Sequence, residues 1–98
     1  MEPIYIEVMT SPNCVHSPKA VKVAKRAVSM RRDPIILREV SIATEEGMRR
    51  AQEFGISATP TITINGRVAY VGVPTQETMD GMIAETLKSE KERNSYFF

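Results

Sequence analysis

The chain has 98 residues, 42% apolar and 26% charged, close to soluble globular averages; this excludes a disordered tail, a collagen-like chain and a low-complexity linker, and predicts one domain over 1–98. Thirteen Lys and Arg against twelve Asp and Glu leave a formal charge of +1, so no bulk field points to nucleic acid or an anionic membrane. No apolar run approaches the ~20 residues of a membrane span, Met1-Glu2-Pro3-Ile4 does not read as a signal peptide, and one cysteine excludes an intrachain disulfide or a multi-thiolate metal site, so a reducing cytoplasm is the expected compartment.

In chain order, Ile4-Tyr5-Ile6-Glu7-Val8-Met9 places Ile4, Ile6 and Val8 on one face, the period of a strand. Thr10-Ser11-Pro12-Asn13 is a cluster of turn formers. From Val15 to about Arg32 the spacing predicts a helix, with Ala20, Val23, Ala24, Ala27 and Val28 as one stripe, small enough to lie close against a sheet. Asp33-Pro34 breaks it, and Ile35 to Ile42 predicts a second strand. Thr44-Glu45-Glu46-Gly47 opens a shorter helix. Thr44 is its N-cap, Met48, Ala51 and Phe54 its apolar face, and Gly55 its end. Thr61-Ile62-Thr63-Ile64 is β-branched throughout, and Asn65-Gly66 predicts a tight hairpin returning through Arg67 to Val71. Pro74-Thr75 starts a last helix with Met79, Met82, Ile83, Thr86 and Leu87 as its buried stripe. Residues 89–98 read as a frayed tail, polar from Ser89 to Asn94 and then apolar at Tyr96-Phe97-Phe98.

The order β-α-β-α-β-β-α predicts an α/β domain. A parallel βαβ unit with a right-handed crossover joins an antiparallel hairpin in a mixed four-stranded sheet flanked by helices.

Chemistry concentrates at Cys14, between the first strand's turn and the start of the first helix. Unpaired amides and the positive end of the helix dipole favour a thiolate there. Lys19, Lys22, Lys25, Arg26, Arg31 and Arg32 follow with no acid among them, and the expectation is a thiol drawn from near 8.5 toward neutrality. The plainer reading, a buried apolar cysteine, fits poorly with Ser11, Pro12, Asn13 and His16 as neighbours. His16 either biases the thiolate and relays a proton or is an exposed loop residue that only tunes the site. Glu7, a charge inside a central strand, is a candidate proton acceptor for Cys14 or part of a partly covered sheet face. A Cys14/His16 metal site has too few donors. The basic helix reads as a solvated face, since no aromatic residues interleave its cations.

Thr10-Ser11-Pro12-Asn13-Cys14-Val15-His16-Ser17-Pro18 resembles the redox loop of thioredoxin and glutaredoxin proteins, particularly the small archaeal ones, in which Cys-x-x-Cys opens the first helix. Ala58-Thr59-Pro60-Thr61 resembles the same family's cis-proline loop before the third strand. The likeness extends from Ile4 to Leu87. It implies a thioredoxin-like sheet of order 2-1-3-4, thiol–disulfide exchange with Cys14 as the attacking thiol, and a cis Thr59–Pro60 bond. Pro12, Asn13, Val15, Thr59 and Pro60 would then contact substrate, with Thr59 main chain pairing a substrate strand. No metal or other cofactor is expected. The expected partners are disulfide-containing proteins or a low-molecular-weight thiol, with a reductase or external thiol for recycling.

The departure is Ser17, which stands where the family has its resolving cysteine and cannot release a mixed disulfide; its hydroxyl can only hydrogen-bond the Cys14 thiolate and help hold its pKa low. Three explanations stay open: a natural monothiol enzyme, a Cys→Ser replacement made to trap mixed disulfides or prevent oxidation, or a non-catalytic thioredoxin-like adaptor. Gly72-Val73-Pro74-Thr75-Gln76 lacks the Gly-rich turn and acidic residue with which glutaredoxins hold glutathione. This tilts the expectation toward protein disulfides or another small thiol. A cluster-carrying Cys-Gly-Phe-Ser protein is matched only at Cys14 and Ser17.

Overall fold

The computed structural model describes residues 2–95, with side chains through residue 92; the expectation for Tyr96-Phe97-Phe98 lies outside the described residues. Seven elements follow in order: β1 (Ile4–Thr10), α1 (Ser17–Ser29), β2 (Ile35–Ser41), α2 (Glu45–Phe54), β3 (Thr61–Ile64), β4 (Arg67–Val71) and α3 (Gln76–Ser95). The sheet order is β2-β1-β3-β4. β1 pairs β2 in parallel from Ile4↔Ile35 to Thr10↔Ser41 and pairs β3 antiparallel from Ile6↔Ile64 to Met9↔Thr61. The thioredoxin-like α/β architecture is thus the one the periodicity and the resemblance predict.

Strand β1 is central and covered on both sides, which the alternation of Ile4, Ile6 and Val8 alone does not reveal. Those three pack with Ala20, Ala24 and Ala27 of α1, Ile62 and Ile64 of β3, and Met79, Ile83 and Leu87 of α3. The alanine stripe lets α1 approach the sheet, as its small side chains predict, and Val21 joins it at the buried edge while Val23 and Val28 stay half-covered. On the opposite face Met9, Val40 and Ala51 form a smaller cluster beneath α2. Glu7 shares that face and is fully buried.

Turn chemistry fixes the connections. Asn65 and Gly66 take φ of 50° and 78°, the pair of positive values a tight hairpin with right-handed twist requires. Asn65 is bound to β1 twice: its N–H donates to the Tyr5 carbonyl and its Oδ1 accepts from the Tyr5 N–H, each at 2.8 Å. Thr44 caps α2 by accepting from the Gly47 N–H at 3.0 Å, and Gly55 ends the helix in the left-handed conformation. Thr75 caps α3 through the Thr78 N–H at 3.1 Å.

Three expectations need correction. Helix α1 begins at Ser17 and ends at Ser29 rather than spanning Val15 to Arg32, because residues 11–16 are held as turns and Asp33 pairs with Arg31 beyond the helix end at 2.9 Å. Met48 is 52% exposed rather than part of a buried stripe, since α2 seats on the sheet through Gly47 and Ala51 instead. Helix α3 runs through Ser95 and so takes in most of the polar stretch expected to fray. No Gly or Pro interrupts residues 88–95, and Lys, Glu and Arg there are good helix formers.

Candidate functional site

The loop from Ser11 to His16 is organised by its own backbone. The Cys14 N–H donates to the Ser11 carbonyl at 3.1 Å, and the Ser17 N–H donates to the Cys14 carbonyl at 3.3 Å. His16 occupies the N-cap position of α1 without a side-chain cap, and Pro18 sits in the first turn, where its missing N–H leaves no bond unmade. Cys14 therefore lies just before the helix, not within its first turn.

Across from this loop, the Thr59–Pro60 peptide bond is cis. The Cys14 thiol donates to the Thr59 carbonyl at 3.3 Å, joining positions 45 residues apart. Thr61 Oγ1 donates to the Ala58 carbonyl at 2.6 Å, and the Gly72 N–H donates to the Pro60 carbonyl at 2.8 Å. The segment facing the sulfur is thereby pinned from both sides. Pro60 is buried and Thr59 half-buried, whereas Pro12, Asn13 and His16 are exposed and Val15 is 80% exposed. Of the residues expected to shape the site, the hydrogen bonds join Cys14 to Thr59 and Ser17 to the Cys14 loop, with Cys14 half-exposed.

Ser17 is only 3% exposed, and its hydroxyl accepts from the Ser11 N–H at 3.3 Å. The Cys14 thiol is lowered from 9.0 to about 7. The Ser17 hydroxyl contributes most, then the Thr59 hydroxyl; burial opposes them, and the main-chain N–H groups of His16 and Ser17 add smaller lowering contributions. Bonding to the Thr59 carbonyl favours the neutral thiol, but the donors to the anion outweigh it. The expected depression is present, with the Ser17 hydroxyl and the amides at the helix start among its causes as expected, whereas the cations of α1, whose lysines all point to solvent, are not among them.

Glu7 does not serve Cys14. Its carboxylate accepts from Arg50 Nη2 at 2.6 Å and from the Thr63 hydroxyl at 3.2 Å, and the Arg50 guanidinium lies 5.1 Å from the centre of the Phe54 ring. Together they fasten α2 to the covered face of the sheet.

The sequence reading missed the role of Ser11, whose carbonyl and amide hold Cys14 and Ser17 in place; a polar residue immediately before a turn proline was its only signal. It also missed a cleft of about 210 Å³ beside Thr59, lined by Ile42, Met48, Ala51, Gln52, Ile56, Ser57 and Ala58. A larger open hollow of about 1010 Å³ lies between β4 and α3, and no residue of the Cys14 site lines it.

A family profile for the thioredoxin domain matches residues 4–84. A thioredoxin of Methanocaldococcus jannaschii is 36% identical over 87 residues, covering 89% of this chain and all of that relative. A probable thioredoxin of Methanothermobacter thermautotrophicus is 37% identical over 76 residues, 78% of this chain and 87% of the relative. Among solved structures, thioredoxin-2 of the malaria parasite superimposes with a TM-score of 0.71 at 14% identity, covering 85% of this chain and 82% of that one. A Schistosoma mansoni thioredoxin gives a TM-score of 0.69 at 19% identity, covering 86% and 79%.

Proposed function

This chain belongs to the thioredoxin domain family, and we propose that it attacks disulfides with Cys14 and relies on a thiol from outside the chain to complete the exchange. Family and fold support a thiol–disulfide oxidoreductase role in general. The observation that carries the finer reading is the packing of Ser17 against Cys14, which supplies acidity to the attacking sulfur while offering no second one.

The step is a sulfur-for-sulfur displacement. The Cys14 thiolate attacks one sulfur of a substrate disulfide, a Cys14–substrate disulfide forms, and the other substrate sulfur leaves as a thiolate that takes up a proton. The Thr59 main chain lies where an extended substrate backbone can pair beside the reacting sulfurs, and Pro12, Asn13, Val15 and Pro60 frame the approach. An external thiolate then attacks the substrate sulfur of the mixed disulfide and expels Cys14, and a second external thiol frees the reduced substrate. Two external thiols are oxidised for each disulfide reduced. Protein disulfides are the proposed substrates, an external thiol or reductase the recycling partner, and the reducing cytoplasm the proposed setting. No helix among the described residues is long and apolar enough to cross a membrane.

The test compares the chain with Ser17→Cys on a protein disulfide such as insulin. The chain is expected to accumulate a mixed disulfide at Cys14 that persists until thiol is added, and Ser17→Cys to release it and turn over. Equal inactivity of both would overturn the reading.

A further inference from the structure

We propose that Met48 is an oxidation site that governs which disulfides Cys14 attacks: its thioether walls an apolar cleft beside the nucleophile, and oxidation by a peroxide closes that cleft to polypeptide substrates. The proposal rests on the reading of Cys14 as the attacking thiol.

The cleft of about 210 Å³ runs between the end of β2, α2 and the segment before β3, and none of the residues lining it is charged. It ends at Thr59, whose carbonyl lies 3.3 Å from the Cys14 sulfur. A side chain next to a cysteine whose sulfur sits at Cys14 is therefore the group with access to it. Ile42, Met48, Ala51, Ile56 and Ala58 offer such a group only apolar surface, so the occupant the cleft fits is an aliphatic or aromatic side chain of the disulfide-bearing polypeptide. A small disulfide has nothing to place there.

Met48 is 52% exposed, whereas Met9 and Met79 are wholly buried. A second hollow of about 400 Å³, bordered by Ala43, Thr44, Glu45 and Arg49, lies along its other side, so solvent reaches the side chain and leaves room for an added oxygen. A peroxide is the oxidant. Its O–O bond breaks, one oxygen bonds to the Met48 sulfur, and the other leaves as water; the sulfur loses two electrons and the peroxide gains them. The product is a polar sulfoxide in the wall of an apolar cleft. An apolar substrate side chain settling there would strip water from that oxygen and lose its contact with the thioether, which is expected to weaken productive binding about tenfold.

For the test, Cys14 is first blocked as a mixed disulfide with thionitrobenzoate, the chain is treated with hydrogen peroxide, and dithiothreitol then frees Cys14 without reducing sulfoxide. Mass spectrometry of peptides locates the added oxygen. The rate of mixed-disulfide formation is measured with insulin and with hydroxyethyl disulfide, a small disulfide that carries no apolar side chain. The oxidised chain is expected to lose about tenfold in rate on insulin and none on the small disulfide. Met48→Leu is expected to lose nothing on peroxide treatment. Met30→Leu, at the other strongly exposed methionine among the described residues (79%), is expected to stay as sensitive as the unaltered chain. An oxidised chain that keeps its rate on insulin, or a Met48→Leu chain that loses as much as the unaltered one, would overturn the proposal. Failure of the untreated chain on both disulfides would instead overturn the reading of Cys14, and this proposal with it.

Discussion

Replacing Ser17 with alanine removes the largest single contribution to Cys14's acidity while leaving its backbone donors in place. The thiol is lowered from 9.0 to about 7, and the Ser17 hydroxyl acts ahead of the Thr59 hydroxyl and the amides of His16 and Ser17. Ser17→Ala is therefore expected to raise the midpoint above 7 but not to 9.0, because the remaining donors survive. At pH 7 a thiol with a midpoint of 7 is about half ionised, and one at 9.0 about one part in a hundred, so the alkylation rate at neutral pH is expected to fall severalfold and recover as pH rises. The assay is iodoacetamide alkylation against pH, checked by the ultraviolet absorbance of the thiolate. Folding favours the anion here, so this cysteine adds stability as pH rises from about 7 toward 9.0 and contributes none below that window. A midpoint that stays at about 7 in Ser17→Ala would refute the hydroxyl's role. A midpoint at or above ~8.5 in the unaltered chain would refute the depression itself and favour a non-catalytic adaptor.

Two further outcomes test how α2 is held against the sheet. Gly47→Ala would place a Cβ 1.8 Å from the Ser41 carbonyl oxygen. Intrinsic helix propensity predicts a gain of about 1 kcal/mol, whereas the overlap predicts a loss of ~1–3 kcal/mol. Urea unfolding is expected to show the loss, and a stabilised variant would mean that α2 is not seated so closely. Arg50→Met strands the Glu7 carboxylate, which is fully buried and already has one oxygen without a partner. The expected cost is ~3 kcal/mol, the low end for a broken buried pair because the Arg50 side chain is 26% exposed. Adding Glu7→Leu should recover part of that loss, and strictly additive losses would show that the pair is not coupled.

What could be read from the sequence was whatever a short window encodes. Asn65-Gly66 specifies its turn within two residues, Thr44 and Gly55 announce the ends of α2, and the alanines of α1 declare a close-packed face. Cys14, Ser17, Thr59 and Pro60 were legible because two short motifs carry them. What stayed hidden depends on three-dimensional neighbours. Whether Glu7 faces a proton donor or an ion-pair partner turns on Arg50, 43 residues away in sequence, and no periodicity reports that. Met48 sits at helical spacing with Ala51, yet the contact of Gly47 with Ser41 rotates the buried edge of α2 away from it. The acidity of Cys14 was expected in part from the amides and the Ser17 hydroxyl, which contribute, and in part from cations that turn out to be solvated, where screening leaves them little influence. The donors that matter lie within three residues or across the fold at Thr59.

On the exchange proposed above, Ser17 would act on the two halves of the reaction in opposite directions. As a hydroxyl at the resolving position it would leave no internal route out of the mixed disulfide, so the lifetime of that species would be set by whatever thiol arrives from outside. By lowering Cys14's pKa it also makes Cys14 the better leaving group. An incoming thiolate has two sulfurs to choose from. Attack at Cys14 expels a substrate thiolate near an ordinary cysteine pKa, while attack at the substrate sulfur expels Cys14 at about 7. With a leaving-group dependence that favours the more acidic thiol, the second path is faster where access is equal, and its product is the substrate joined to the outside thiol. A second thiol at position 17, as in Ser17→Cys, is expected to avoid that product, because it would lie beside the nucleophile and attack there. The serine therefore shifts the expected first product from a fully reduced substrate to one capped by the recycling thiol, detectable by mass spectrometry of insulin chains when a small thiol drives the reaction. Insulin chains released without the cap would show that attack falls on Cys14, and that access at the Thr59 loop outweighs acidity.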